Sequence, residues 1–298
     1  MTFLEKSHTG RNQWYFYILT LLIVFTATQI GTLPLAGYIY FQNPSPTPTM
    51  QDIAQATSTN LGLALTLLSF AFGFVALLLC VKYIHKKHLL DIVTGRDRLD
   101  WGRIFFGAGI WAILSILTFL LPLLFGESDT LVFQFDASKF FVLLLISLIL
   151  FPFQTSFEEL TFRGYLMQGS YLLFNNKWAA LVLTSVIFGL MHSANPEVEA
   201  FGAWVALPQY IIMGFLLGYV AIKDNGMELS LGIHVANNIL SAITFTSDSS
   251  TLQTHALFRD LAPSSSWMDS VVILIAALVF VWICNRKYKF MTKKESIC

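Results

Sequence analysis

The feature that most limits what this chain can fold into is a set of eight apolar segments spread along its 298 residues. A helix that crosses a bilayer needs about 20 mostly apolar residues, because the hydrocarbon core is about 30 Å thick. The eight segments, with approximate bounds, are Trp14–Ala36, Leu61–Tyr83, Ile104–Leu124, Phe140–Arg163, Trp178–Met191, Ala203–Ile222, Leu229–Phe245 and Trp267–Cys284. The fifth and seventh are short. No internal repeat divides them, so we predict a single all-α membrane domain over residues 1–298 with about eight transmembrane helices.

Amino-acid composition excludes a soluble protein. Hydrophobic residues make up 55% of the chain and charged residues 12%, whereas about 25% of residues are charged in soluble domains. The formal net charge is zero, so nucleic acid is not an expected partner and the lipid bilayer is. Cys80 and Cys284 lie in or beside apolar runs, and we interpret them as core residues rather than disulfide partners or nucleophiles.

The distribution of basic residues predicts the orientation, since Lys and Arg in short loops stay on the cytoplasmic side of a membrane. With eight spans, all but Lys139 and Arg259 of the 18 basic residues fall on the side that holds both termini. This set includes Lys293 and Lys294 near the end of the chain. We therefore predict cytoplasmic termini and a multi-pass protein of a prokaryotic plasma membrane, because no organelle-targeting feature is present.

The fourth segment carries three ionisable residues at its C-terminal end, and such residues inside a membrane helix are costly and commonly functional. Glu159 and Arg163 are four residues apart with the acid first, so they can pair on one helix face. Glu158 points about 100° away and has no partner within its own turn, which leaves it free to act as a general base in a cavity. The alternative is an ion pair at the membrane surface that merely ends the helix.

The short fifth segment ends with Phe188, Gly189 and His192 close together. The phenyl ring and the imidazole are one turn apart and share a face, and Gly189 would let a neighbouring helix approach closely. A single histidine at the end of an apolar run is more often a core residue than a catalytic one, so this pattern alone leaves both interpretations open.

The seventh segment contains His234 and Asn238, which are four residues apart and face one side of the helix. Asn237 faces elsewhere and suits a hydrogen bond between helices. Counting 1.5 Å per residue from the predicted membrane boundaries, we find that His234, Glu158 and His192 can reach one pocket between the bilayer centre and the cytoplasmic face. A carboxylate, two imidazoles and an amide in hydrocarbon predict a water-filled functional site.

Two versions of a hydrolytic site are compatible with these residues. In one, Glu158, His192 and His234 bind Zn²⁺. In the other, Glu158 deprotonates a water molecule polarised by His192, while His234 and Asn238 donate hydrogen bonds to the oxyanion. No Ser–His or Cys–His pair occurs in the three clusters, and no HExxH helix is present, which favours the metal-free version modestly.

At these residues the chain resembles the CPBP family of CAAX proteases and bacteriocin-processing enzymes, also called the Abi family, which includes the type II CAAX prenyl endopeptidases. The family pattern EExxxR, FxxxH and HxxxN occurs here in order, over a core of about residues 140–245. The elements are Glu158-Glu159-x-x-x-Arg163, Phe188-x-x-x-His192 and His234-x-x-x-Asn238. Each element is weak alone, but three in order inside membrane segments are specific.

The resemblance implies an eight-helix intramembrane peptidase whose cavity opens to the cytoplasm and the membrane. It implies Glu158 as catalytic base, His192 as its partner, and His234 with Asn238 as the oxyanion site. Glu159, Arg163 and Phe188 would support that site. The resemblance does not decide between the zinc-dependent and the metal-free version, because the metal content of the family is disputed.

The resemblance leaves the substrate open, because family members cleave prenylated CAAX tails, process bacteriocin or pheromone leaders, or confer immunity. We expect a peptide or membrane-anchored protein substrate, with prenylated tails less expected in a prokaryote. A non-catalytic peptide-binding scaffold or bacteriocin self-immunity protein is the first alternative. A transporter with a midplane ion site is the second, although the inverted repeats and broken helix pairs typical of transporters are not clear in the sequence.

Overall fold

The structure, a computed structural model, describes residues 1–45, 47, 49–124 and 129–290. Eleven α-helices make up most of this part of the chain, which confirms the all-α prediction. They are α1 (Trp14–Gln42), α2 (Met50–Thr57), α3 (Asn60–Leu79), α4 (Trp101–Leu124), α5 (Ala137–Glu159), α6 (Met167–Phe174), α7 (Lys177–Leu190), α8 (Pro196–Phe201), α9 (Ala203–Lys223), α10 (Glu228–Thr244) and α11 (Trp267–Tyr288). Short 3-10 turns occupy Glu5–His8 and Leu89–Ile92.

Six helical stretches are long and apolar enough to cross a bilayer, and the protein is an integral, multi-pass membrane protein. The six are Trp14–Gln42, Asn60–Ile84, Trp101–Leu120, Ala137–Phe174, Ala203–Lys223 and Trp267–Tyr288. Large apolar side chains such as Phe25 and Leu148 are exposed on their outer surfaces, as expected of a protein surrounded by lipid. The remaining two predicted segments form α7, of 14 residues, and α10, of 17 residues. The count of eight crossings therefore stays a prediction.

Both described ends of the chain lie at the same end of the helical bundle. The backbone N–H of Phe3 donates to Asn225 Oδ1 at 2.6 Å, just after α9, and the Arg103 guanidinium lies 3.9 Å from the Tyr288 ring at the end of α11. Placement of the termini in the cytoplasm stays a prediction. The residues Lys293 and Lys294, on which it partly depends, lie outside the described part.

A small three-stranded sheet caps the opposite end of the bundle, a feature that the all-helical prediction missed. Its strands are β1 (Leu131–Phe133), β2 (Phe245–Thr246) and β3 (Phe258–Asp260), in the order β1-β3-β2. β1 runs antiparallel to β3 and β2 runs parallel to it. The sheet joins the loop before α5 to the loop after α10, so it ties together the outer ends of two site-bearing helices.

The fourth predicted segment is part of one continuous helical rod that runs from Ala137 to Phe174. Its middle, Leu160–Leu166, is π-helical, a local widening that often marks functional positions. Glu159 immediately precedes this π turn and is completely buried. The alternative in which Glu159 and Arg163 form an ion pair at the membrane surface, ending the helix, is therefore wrong.

Helix α10 is central to the bundle and packs against α4, α5 and α9. Its contact with α4 depends on two glycines that let the backbones approach closely. A Cβ atom on Gly232 would lie 2.1 Å from the Ile104 carbonyl oxygen, and one on Gly107 would lie 2.7 Å from the Leu229 carbonyl oxygen. Since α10 carries His234 and Asn238, this packing also sets their position.

Four charged side chains form a cluster at the bundle end where α10 begins. Arg96 pairs with Asp224 at 3.2 Å and with Glu228 at 3.0 Å, and Arg103 also pairs with Asp224. Both carboxylates are buried. Burial raises the pKa of Asp224 to about 7, although Arg96 and Arg103 oppose the shift. The cluster fixes the first turn of α10 to α9 and to the chain before α4.

We expect Gly232→Ala to destabilise the protein by about 1–3 kcal/mol, because the added methyl group must push α4 away from α10. Thermal unfolding in detergent, followed by tryptophan fluorescence, measures the effect. Gly109→Ala is the matched control on α4, since a Cβ there meets nothing within 4 Å and alanine favours a helix. Equal melting temperatures for the two variants would contradict the packing argument.

The raised pKa of Asp224 predicts a pH-dependent stability. Between its ordinary value of 3.8 and about 7, the folded state binds more protons at this carboxyl than the unfolded state, so the free energy of unfolding falls as pH rises. We expect the stability of the wild type, relative to Asp224→Asn, to decrease from about pH 4 to about pH 7. Urea or thermal unfolding at a series of pH values measures this difference, and a difference that does not change with pH would contradict it.

Candidate functional site

The innermost group of the candidate site is the Glu159 carboxylate, which is fully buried. Its Oε1 accepts hydrogen bonds from Arg163 Nη1 and from His234 Nδ1, both at 2.8 Å. Arg163 also donates from Nη2 to the Gly214 carbonyl oxygen of α9 at 3.0 Å. The predicted pair of Glu159 and Arg163 is confirmed, and it connects α5 to α9 and α10.

The neighbouring carboxylate, Glu158, lies at the edge of the buried region with 15% of its side chain exposed. Its Oε1 accepts a hydrogen bond from Gln154 Nε2 at 2.5 Å, and its Oε2 lies 3.4 Å from His234 Nε2. Glu158 was predicted to have no partner within its own turn, and its donor Gln154 lies one turn before it, a neutral amide that the prediction did not include. The prediction that the two glutamates occupy different surroundings is confirmed.

His234 lies between the two glutamates, and this position constrains its protons. Nδ1 carries a hydrogen, because a carboxylate oxygen can only accept. Nε2 faces the second carboxylate at 3.4 Å, so a stable arrangement places a proton between these groups, on Nε2 or on Glu158. The site can therefore hold a proton that moves between an imidazole and a carboxylate.

Asn238 lies on the same side of α10 as His234, as predicted. Its Nδ2 donates to Gln154 Oε1 at 2.9 Å, which brings it to the turn of α5 that precedes Glu158. Asn237 faces α4 instead, where its Oδ1 accepts from Trp111 Nε1 at 3.2 Å. The predicted role of Asn237 in joining helices is confirmed.

His192 follows the last turn of α7 and is held by a hydrogen bond and a ring contact. Its Nδ1 lies 2.7 Å from the Phe188 carbonyl oxygen, to which it can only donate, so the neutral ring has a free electron pair at Nε2. The imidazole stacks on Tyr210 of α9 at 4.2 Å, with the rings 20° from parallel. Within the described residues His192 makes no hydrogen bond to Glu158, and its predicted partnership with that carboxylate stays a prediction.

The Phe188 ring fills the space between the buried groups. Its centroid lies 4.8 Å from that of His192, 6.1 Å from that of His234, and 4.5 Å from Arg163 Cζ. An aromatic face stabilises the guanidinium charge while it excludes solvent. Close approach of α7 to α9 at Gly189 is confirmed, since a Cβ there would lie 2.3 Å from Ile211 Cγ1.

The donor atoms do not fit the possible zinc site. Three ligands would have to lie about 2 Å from a common point. In the part of the chain that the structure describes, no three His, Cys, Asp or Glu side chains are grouped closely enough to hold a metal ion. Glu158, His192 and His234 therefore do not form a ligand set in this structure, and the mechanism proposed below has no step through a metal.

Three groups that contact the candidate site residues were not predicted from the sequence. Gln154 had a recognisable signal, because a buried amide four residues before a membrane glutamate is as unusual in an apolar segment as the glutamate itself. Tyr210 had none, since a tyrosine in an apolar helix is ordinary. The Gly214 carbonyl oxygen, as a backbone group, is invisible in a sequence.

Comparison with known proteins places this site in a family. The model of the Rce1-like family, described as type II CAAX prenyl endopeptidase Rce1-like, matches residues 137–240, which contain every motif residue. The chain is also 32% identical over 218 residues to the uncharacterized protein YyaK of Bacillus subtilis (strain 168), an alignment that covers 73% of this chain and 72% of that protein. No solved structure matches the chain.

We expect Arg163→Met to destabilise the protein by about 3–5 kcal/mol, because it leaves the buried Glu159 carboxylate without its counter-charge. Adding Glu159→Gln should recover part of this loss, since it removes the orphaned charge. Thermal unfolding of the wild type, the single variant and the double variant in detergent measures the effect. The matched control is Arg259→Met, which breaks an exposed pair with Asp248 and should cost no more than about 1 kcal/mol.

Proposed function

This chain belongs to the Rce1-like family of type II CAAX prenyl endopeptidases, and on that premise we propose that it hydrolyses a peptide bond inside the membrane with water activated by Glu158. The observation that carries the proposal is the position of His234, whose two ring nitrogens face Glu159 at 2.8 Å and Glu158 at 3.4 Å. An acid, an imidazole and an amide supply a base and oxyanion donors without a covalent enzyme intermediate.

In the first step, the Glu158 carboxylate takes a proton from a water molecule, and the oxygen of that water attacks the carbonyl carbon of the substrate. The free electron pair of His192 Nε2 can accept the second water hydrogen and so orient the attack. The carbonyl oxygen becomes an oxyanion, which the second N–H of Asn238 Nδ2 and a protonated His234 Nε2 stabilise.

In the second step, Glu158 returns the proton to the amine, and the carbon–nitrogen bond breaks to give a carboxylic acid and a free amine. Glu159 accepts the Nδ1–H of His234, just as a buried carboxylate stabilises an imidazolium in other hydrolases. Arg163 donates to the same Glu159 oxygen at 2.8 Å. The buried pair of Arg163 and Glu159 therefore favours His234 as a hydrogen-bond donor without touching the substrate.

The surroundings of the site favour a substrate that approaches through the membrane. Leu190 and Met191, next to His192, are large apolar residues that are 51% and 70% exposed. At the end of the bundle that holds both described ends of the chain, Phe3 is buried and its carbonyl oxygen accepts from Gln168 Nε2 at 2.8 Å. We propose a membrane-associated peptide or protein as the substrate, with the scissile bond reaching Glu158 from the side.

We expect Glu158→Gln to reduce cleavage at least about 100-fold, because the amide cannot accept the proton of water. His192→Ala should reduce it as well. The measurement is cleavage of a panel of membrane-anchored reporter peptides, with and without a prenyl group, by purified protein in proteoliposomes. Glu199→Gln, an exposed glutamate on α8, is the matched control and should keep full activity.

Full activity in both Glu158→Gln and His192→Ala would refute the proposed site. A cellular phenotype that survives Glu158→Gln at a normal protein level would favour a peptide-binding scaffold or immunity protein instead. Elemental analysis and chelator titration of the active sample test the metal-free mechanism, and loss of activity that zinc alone restores would contradict it.

A further inference from the structure

A row of polar side chains crosses three helices and ends at the candidate base. It begins at Trp111 on α4, whose indole N–H donates to Asn237 Oδ1 at 3.2 Å. Asn237 Nδ2 donates to Asn238 Oδ1 at 3.3 Å, and Asn238 Nδ2 donates to Gln154 Oε1 at 2.9 Å. Gln154 Nε2 then donates to Glu158 Oε1 at 2.5 Å.

The direction of these hydrogen bonds is fixed at both ends. The indole nitrogen of Trp111 can only donate, and an ionised Glu158 can only accept. Each of the three amides in between must therefore turn its oxygen toward Trp111 and its NH₂ group toward Glu158. A reversed amide anywhere in the row would place two donors or two acceptors face to face, which is costly where water is excluded.

We infer that Trp111, Asn237 and Gln154 are positioning residues that fix the orientation of Glu158 and Asn238 for catalysis; this rests on the proposed function. Gln154 holds one carboxylate oxygen of Glu158, while the other oxygen faces His234. The row also holds Asn238 with its oxygen engaged, so that its second N–H is available to the oxyanion.

The row extends the functional unit beyond the part of the chain that matches the family, since Trp111 lies before residue 137. Trp111 is buried at 4% exposure and its ring packs edge-on against Phe280 of α11 at 5.9 Å. Gln154 is buried at 7% exposure. Both side chains are thus shielded from water, where a hydrogen bond constrains orientation most strongly.

Charged groups outside the row also lie near Glu158, and they define what the row adds. On its own rod these groups are Glu159 and Arg163, and from α10 the group is His234. None of them contacts Glu158 Oε1 among the described residues, where the donor is Gln154. Loss of the row therefore frees that oxygen to leave the position in which Gln154 holds it.

The test uses Gln154→Leu, Trp111→Phe and the double variant of the full-length protein in proteoliposomes. The substrate is the reporter peptide that the wild type cleaves fastest. We expect Gln154→Leu to lower kcat about tenfold and Trp111→Phe about fivefold, the size expected for the loss of one hydrogen bond in a constrained site. KM should change little in both variants, because neither Gln154 nor Trp111 touches the substrate. The double variant should be no slower than Gln154→Leu, because both changes break the same row.

Two matched controls separate positioning from packing. Phe280→Leu disturbs the ring against Trp111 but leaves the indole N–H in place, so it should lower stability without lowering kcat. Ser147→Ala changes a buried hydroxyl on α5, two turns before Gln154, that has no hydrogen-bond partner among the described residues; it should leave kcat unchanged. Replacement of Trp111 by its benzothiophene analogue keeps the shape and removes only the N–H, and should reproduce Trp111→Phe.

Additive losses in the double variant, or losses in Gln154→Leu and Trp111→Phe that appear in KM rather than in kcat, would overturn the inference. These results are distinguishable from failure of the proposed function. If Glu158→Gln abolishes cleavage while Gln154→Leu is fully active, only the positioning row is wrong. If Glu158→Gln is fully active, the catalytic proposal itself is wrong.

Discussion

The buried contact of Arg163 with Glu159 is the interaction on which the rest of this molecule depends. Removing two charges from water costs several kcal/mol per ion in a protein interior, and a membrane bundle offers still less solvent. The cost is offset because neither group relies on the other alone. The guanidinium also donates to the Gly214 carbonyl oxygen and lies against the Phe188 ring, and the carboxylate also accepts from His234. One ion pair therefore connects α5, α7, α9 and α10.

This ion pair also explains why two adjacent glutamates have different properties. Glu159 Oε1 accepts hydrogen bonds from Arg163 and His234, and the side chain is completely buried. Glu159 therefore serves as a fixed counter-charge. Glu158 is rotated toward the partly exposed side, where it can exchange a proton with water. Electrostatic stabilisation of a charged donor works best when the counter-charge is already in place and does not have to reorganise.

Much of the site could be predicted from sequence because helical spacing converts directly into geometry. The four-residue separations of Glu159 from Arg163 and of His234 from Asn238 place each pair on one face, and the structure confirms both. The π turn after Glu159 could not be predicted, since its hydrogen bonds depend on how α6 packs rather than on a residue type. The same holds for the stacking of His192 on Tyr210, and the small sheet was hidden in loops with no alternating pattern.

The π turn at Leu160–Leu166 also bears on how this chain tolerates changes in length. A π turn fits one more residue into the rod than a regular helix of the same rise would hold, and one residue corresponds to about 100° of rotation. Deleting a single residue there would restore a regular helix while leaving α6 in phase with its neighbours. A deletion of one residue from α5 before Glu158 cannot be absorbed in this way. It would rotate the part of α5 that precedes the deletion relative to α3 and α10, against which it packs. Length variation among relatives of this chain should therefore collect after Arg163, in the last part of the π turn, and be absent just before Glu158.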